Sequence, residues 1–112
     1  MTYQEIETLV AGIGYPNAYY QFEEGTELNP PFICFYYPGR NDAKADNSNY
    51  APITGLTIEL YTDNKDFVAE AAVEAALEAA EIVYGKQESY IESEKMYMIT
   101  YNTEVLITDE EN

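Results

Sequence analysis

The chain of 112 residues has no histidine, no tryptophan, a single cysteine and only five basic residues. Each shortage closes off a class of function. Without histidine there is no Ser/His or Cys/His pairing, and a zinc site is nearly ruled out. One cysteine, Cys34, permits no internal disulfide framework. Five bases against 21 acids leave a net charge of −16, a field that repels DNA, RNA and anionic membranes. No run approaches the roughly 20 apolar residues of a membrane span. The opening Met1-Thr-Tyr-Gln-Glu-Ile-Glu7 has neither the basic nor the apolar region of a signal peptide. The expectation is a soluble chain made in the cytoplasm. No glycine-rich phosphate cradle is present either.

What is there is enough for one domain over residues 1–112. Hydrophobic residues make up 46% and aromatics 14%, too much for a disordered chain. The charge is uneven. Residues 1–31 carry −5, residues 32–65 only −1, and residues 66–112 carry −10.

The most regular stretch is Ile53-Thr-Gly-Leu-Thr-Ile-Glu-Leu-Tyr61, where Leu56, Ile58 and Leu60 alternate with Thr57, Glu59 and Tyr61. That period of two predicts a half-buried strand. A polar turn follows, with Asp63 as expected cap and Asp66 three residues on. Residues 67–82 are almost entirely Ala, Glu and Val, a strong helix former. Its face of Ala69, Val73, Ala76, Leu77 and Ala80 is expected on the sheet. At the amino end, Thr2 and Glu5 have capping-box spacing, and Ile6, Leu9, Val10 and Ile13 follow at helical intervals. Gly12 and Gly14 should end that helix.

Strands are expected over residues 17–22, 32–37, 83–91 (with Gly85 at a bend or bulge) and 96–107. Residues 38–50 show no period and read as a long loop, and 108–112 as a frayed tail. The resulting order, α-β-β-β-α-β-β, predicts an α+β fold. Its sheet of four to five strands is mostly antiparallel, neighbours joined by turns pairing that way, with both helices on one face. The other face must then be polar or meet a second subunit.

Reactive chemistry is poorly supported, so no catalytic, cofactor-binding or metal residue is assigned. Cys34 sits mid-strand among aromatics, where an inert buried thiol is expected. A calcium loop starting at Asp42 fails: Lys44, Asn47 and Ile53 fall where acid, glycine and acid are required. The helix over residues 67–82 places Glu70, Glu74, Glu78 and Glu81 on one stripe with no lysine to pair with. That stripe is either a solvated face or an acidic surface that an anion passes without sticking. Tyrosine is abundant, with 12 residues. In strands the ring packs while the hydroxyl reaches water, and at a subunit interface tyrosine is enriched.

Several phrases in order resemble a known family: Ala18-Tyr-Tyr-Gln-Phe-Glu-Glu-Gly25, Pro31-Phe-Ile33, Ala45-Asp-Asn47, Ile58-Glu-Leu-Tyr-Thr-Asp63 and Tyr90-Ile-Glu-Ser-Glu-Lys-Met-Tyr97. They resemble small tail-completion, or head–tail joining, proteins of long-tailed phages and prophages of Gram-positive bacteria. These are similar in role to the tail terminators of lambda-like phages. The resemblance spans about residues 3–107 and contains no catalytic signature.

It implies a structural virion-assembly protein that forms a ring, commonly hexameric, at the tail end. Such a ring terminates the tail tube and joins it to the head connector. The implied partners are further copies of itself, the tail tube protein and the connector protein. No cofactor, small-molecule ligand, membrane or sequence-specific nucleic acid is implied. The implied location is the host cytoplasm during assembly and then the virion tail. Subunit contacts are expected from Tyr36, Tyr37, Arg40, Lys44 and Asp46, with Arg40 and Lys44 pairing to acids of a neighbour. Glu70, Glu74, Glu78 and Glu81 are candidates for an acidic lumen or surface. The alternative is an acidic decoy whose carboxylates mimic DNA phosphates and occupy a host nucleic-acid-binding protein.

Overall fold

A computed structural model describes residues 1–45 and 48–108, with backbone alone for residues 43–45 and 48–51. Asp46 and residues 109–112 of the expected frayed tail lie outside the described residues. The elements run α1 (Tyr3–Gly12), β1 (Asn17–Tyr19), β2 (Phe32–Tyr36), β3 (Ala43–Ala45), β4 (Ser48–Ala51), β5 (Ile53–Thr62), α2 (Phe67–Ala79), β6 (Tyr84–Ile91) and β7 (Met96–Leu106). The fold is α+β. A five-stranded sheet of order β1-β2-β5-β7-β6 carries both helices on one face, and β3-β4 form a separate two-stranded sheet.

The alternation of β5 sets the core. Leu56, Ile58 and Leu60 are fully buried, and each lies beside a buried residue of a neighbouring strand. Ile58 is flanked by Phe35 of β2 and Tyr101 of β7, and Leu60 by Ile33 and Ile99. Ile6 and Val10 of α1 and Ala69, Val73 and Leu77 of α2 close the same cluster. Both amphipathic patterns thus deliver their apolar stripes to one side of the sheet, as expected.

Caps show where the local reading holds and where it shifts. Thr2 and Glu5 form the capping box reciprocally. Only Gly14, at φ 103°, uses the left-handed freedom expected of both glycines; Gly12 does not. For α2 the cap is Asp66 rather than Asp63: its carboxylate accepts from the Ala69 amide. Asp66 stands directly before the helix, where its side chain reaches an orphan amide.

The helix ends at Ala79, three residues short of expectation. Glu81 turns left-handed (φ 60°), while the amides of Glu81 and Ile82 donate back to the carbonyls of Glu78 and Leu77. This is a Schellman closure, and buried Ile82 fastens it to the core.

Two strand expectations are corrected. β1 stops at Tyr19 and pairs parallel, not antiparallel, with β2. Tyr20 takes a left-handed conformation (φ 69°), and the chain crosses residues 20–31 before β2, enough length to bring a strand back in the same direction.

Residues 38–50 are not without structure. Gly39 and Asn41 bond to Gly55 and Ile53, extending the β2–β5 ribbon. The partner register moves by one between Tyr36–Thr57 and Arg40–Thr54. A Cβ at Gly55 would stand 3.0 Å from Pro38 Cγ, so glycine makes room for that shift. Beyond it the β3–β4 hairpin forms an arm past the Ile53 end of β5. Gly85, in contrast, pairs with Asn102 in regular register, with no bulge.

Candidate functional site

Three surfaces can meet a partner: the arm, the solvent side of α2 and the uncovered face of the sheet. At the base of the arm, Arg40 forks onto Asp42, Nε to Oδ1 at 2.9 Å and Nη2 to Oδ2 at 2.5 Å. Asp42 Oδ1 also accepts from the Ile53 amide at 3.1 Å. The Asp42 side chain is 5% exposed and that of Arg40 54%. Arg40 thus has an acid partner within its own chain. The reason is local: Asp42 is two residues along the same extended segment. Lys44 lies in β3, where only backbone is described, and Asp46 lies outside the described residues.

Tyr36 and Tyr37 point to opposite sides of the sheet. Tyr37 packs against Tyr3, Tyr19 and Phe35 on the helix side. Tyr36 faces away from the helices, and its hydroxyl donates to Glu59 at 3.2 Å. They therefore contribute to different surfaces.

The acidic stripe is rearranged most. Glu70 is 2% exposed and meets two lysines: Lys65 Nζ at 2.6 Å from Oε2 and Lys86 Nζ at 2.9 Å from Oε1. Lys86 also pairs with Glu74 at 2.6 Å, and Glu74 accepts from the buried Tyr101 hydroxyl at 2.8 Å. Lys65 reaches Glu88 on β6 as well. Glu78 accepts from Tyr84 at 3.2 Å, and Glu81 belongs to the closing turn.

The expectation of a lysine-free stripe fails because β6 alternates: Tyr84, Lys86, Glu88 and Tyr90 all point towards the helices. Burial alone would raise the Glu70 pKa. Hydrogen bonds from Lys65 and Lys86, together with their charges, outweigh it and hold the carboxyl below its ordinary value. Lys86 is pushed up to about 12, by its hydrogen bond to Glu74 first and then that to Glu70. The network fastens α2 to β6. Glu70 is thereby withdrawn from the helix surface, while Glu78 and Glu81 stay exposed.

The solvent side of α2 instead carries Phe67, Val68, Ala71, Ala75 and Ala79, with Glu78 its acid. Val68 is 77% exposed, and Val83, past the helix end, 87%.

On the uncovered sheet face, Phe32, Cys34 and Tyr36 of β2 stand beside Glu59 and Tyr61 of β5. Cys34 is buried, and its thiol is raised to about 11, by burial first and then by Glu59, as an inert thiol should be. Glu59 accepts from the Tyr61 hydroxyl at 2.8 Å in addition to Tyr36. This grouping was not anticipated, although the alternation that buries Leu60 places Glu59 and Tyr61 there together. Among the described residues no cluster of His, Cys, Asp and Glu is arranged to hold a metal ion. Among the described residues no helix is long and apolar enough to cross a membrane.

No protein-family model and no curated protein matches this chain. Its fold is similar to that of a chain in the solved structure described as "Virion of native gene transfer agent (GTA) particle". The TM-score is 0.59 at 17% identity, over 94% of this chain and 90% of that one. At that identity the likeness is one of fold.

Proposed function

We propose that this protein is a structural component of a phage or phage-like virion. In the finer reading it is a tail-completion protein whose copies form a ring on the tail tube, end its growth and meet the head connector. The observation that carries the proposal is the likeness of fold, along almost the whole of both chains, to a chain of a virion particle. The family resemblance of the sequence phrases points the same way.

The architecture suits the role. Among the described residues, one sheet face has no helix cover and the β3–β4 arm pairs with no strand of the main sheet. In a ring, the arm reaches the adjacent subunit with Lys44 on β3. Arg40, held by Asp42, braces its base. A charge of −16 around a channel keeps DNA phosphates from adhering. The ring belongs in the virion tail, and its work is done by fit without turnover.

Polymerising purified tail tube protein with and without this chain tests the reading, with tube lengths measured by electron microscopy. Capped, shortened tubes are expected. Exchanging residues 43–51 for an Asn-Gly turn should abolish capping while far-UV circular dichroism stays native. If that variant caps normally, the arm is not the contact. If the intact protein leaves tube lengths unchanged, the terminator role itself fails.

A further inference from the structure

We propose that the uncovered sheet face carries a receptor for a single arginine side chain, presented by a partner protein. The inference goes beyond the ring and stands without it. The connection from β1 to β2 borders this face beside β2. It brings Phe22 edge-on to Phe32 (5.7 Å between centroids), while Phe32 stacks on Tyr61 (4.9 Å, 14° between planes). A cavity of about 620 Å³ opens between them, with Cys34, Tyr36 and Glu59 in its lining.

Glu59 is what this cavity has to offer chemically. Each of its oxygens accepts one phenol, Tyr61 on Oε1 and Tyr36 on Oε2. Burial first, and Glu59 second, raise the pKa of both phenols, so both stay protonated donors. They orient the carboxylate without neutralising it, and a carboxylate has about four acceptor positions, of which two remain. Among the described residues no cation pairs with Glu59, whereas Glu70 has two.

One carboxylate is too few oxygens for calcium or magnesium. An oriented carboxylate beside a flat aromatic stack suits a guanidinium, which forks onto the acid and lies on the rings. Charge complementarity places the arginine on a partner. The chain is strongly acidic, and Arg40, Lys65 and Lys86 are already engaged within it.

The test uses the full chain and two peptides, acetyl-Leu-Arg-Leu-amide and the same peptide with citrulline, which keeps shape and loses charge. Binding is followed by NMR shifts of Tyr36, Tyr61 and Cys34. The arginine peptide should shift these residues and bind at least about tenfold more tightly than the citrulline peptide, a modest requirement for a charge-assisted, aromatic-flanked contact. Glu59→Gln, which keeps an acceptor for the phenols, should erase that preference. Glu104→Gln, a control acid on the same face, should leave it intact. Equal affinity of the two peptides, preference surviving in Glu59→Gln, or no shift of these residues at the solubility limit would each overturn the proposal.

Discussion

The two faces of this sheet treat a buried or half-buried acid in opposite ways. Beneath the helices, Glu70 is enclosed and answered by Lys65 and Lys86. On the uncovered face, Glu59 is held by two phenols and keeps its charge open to the cavity. A paired acid fastens elements of one chain, whereas an oriented but unpaired acid leaves an attraction unspent. The contrast teaches which side of the molecule is finished and which is available.

Truncating the core should give the largest effect. Ile58→Ala removes a fully buried side chain between Phe35 and Tyr101 and should cost about 2–5 kcal/mol in urea unfolding. Ser89→Ala, on the uncovered side of β6, should stay within about 0.5 kcal/mol. Similar losses at both positions would break the distinction between faces.

Next comes Glu70→Gln, which keeps the shape but loses the charge facing two ammonium groups. It should cost about 1–3 kcal/mol at neutral pH, the range for a buried hydrogen-bonded group left imperfectly paired. The pH dependence sharpens this. The folded-state pKa of Glu70 is depressed, so its contribution is present above the ordinary carboxylate value and is lost as pH falls through that range towards the folded value. Lys86 has the opposite sign. Its contribution is present below the ordinary lysine value and is lost as pH rises towards about 12. Urea midpoints measured across pH should show the acid limb flattened in Glu70→Gln.

Of the two acid substitutions, the smaller effect is expected for Glu59→Gln. Stability should change by less than about 1 kcal/mol, because the site opens to solvent. Spectrophotometric titration should show the Tyr36 and Tyr61 phenols ionising at lower pH than in the unmodified chain, since Glu59 is one cause of their elevation. Desolvation remains, so they should not reach the ordinary tyrosine value.

These contrasts also mark how far the sequence could be read. Periodicity found what periodicity governs: the faces of β5, the buried stripe of α2 and the capping box of α1. Hydrogen bonding between distant segments stayed hidden. Nothing in residues 17–22 announces parallel pairing with β2, which depends on the left-handed turn at Tyr20. The arm escaped because residues 38–50 alternate too weakly, and its first rungs lie on Gly39 and Asn41.

The pairing of the Glu70 stripe is hidden in the sequence for a different reason. Helical spacing shows an acid's neighbours along its own helix, not the lysine that a strand brings across from it. The alternation of Tyr84, Lys86, Glu88 and Tyr90 did contain that signal. Among the expected contact residues, Tyr36 and Tyr37 fall on opposite faces and Arg40 forks onto Asp42, placements that spacing along the chain does not show.

The mass of the protein in solution, alone and mixed with tail tube protein, tests the assembly role most directly. Light scattering should find a ring-sized multiple of the 12.7 kDa chain bound to tube ends. A 12.7 kDa species that stays monomeric and unbound at every ratio of tube would contradict it.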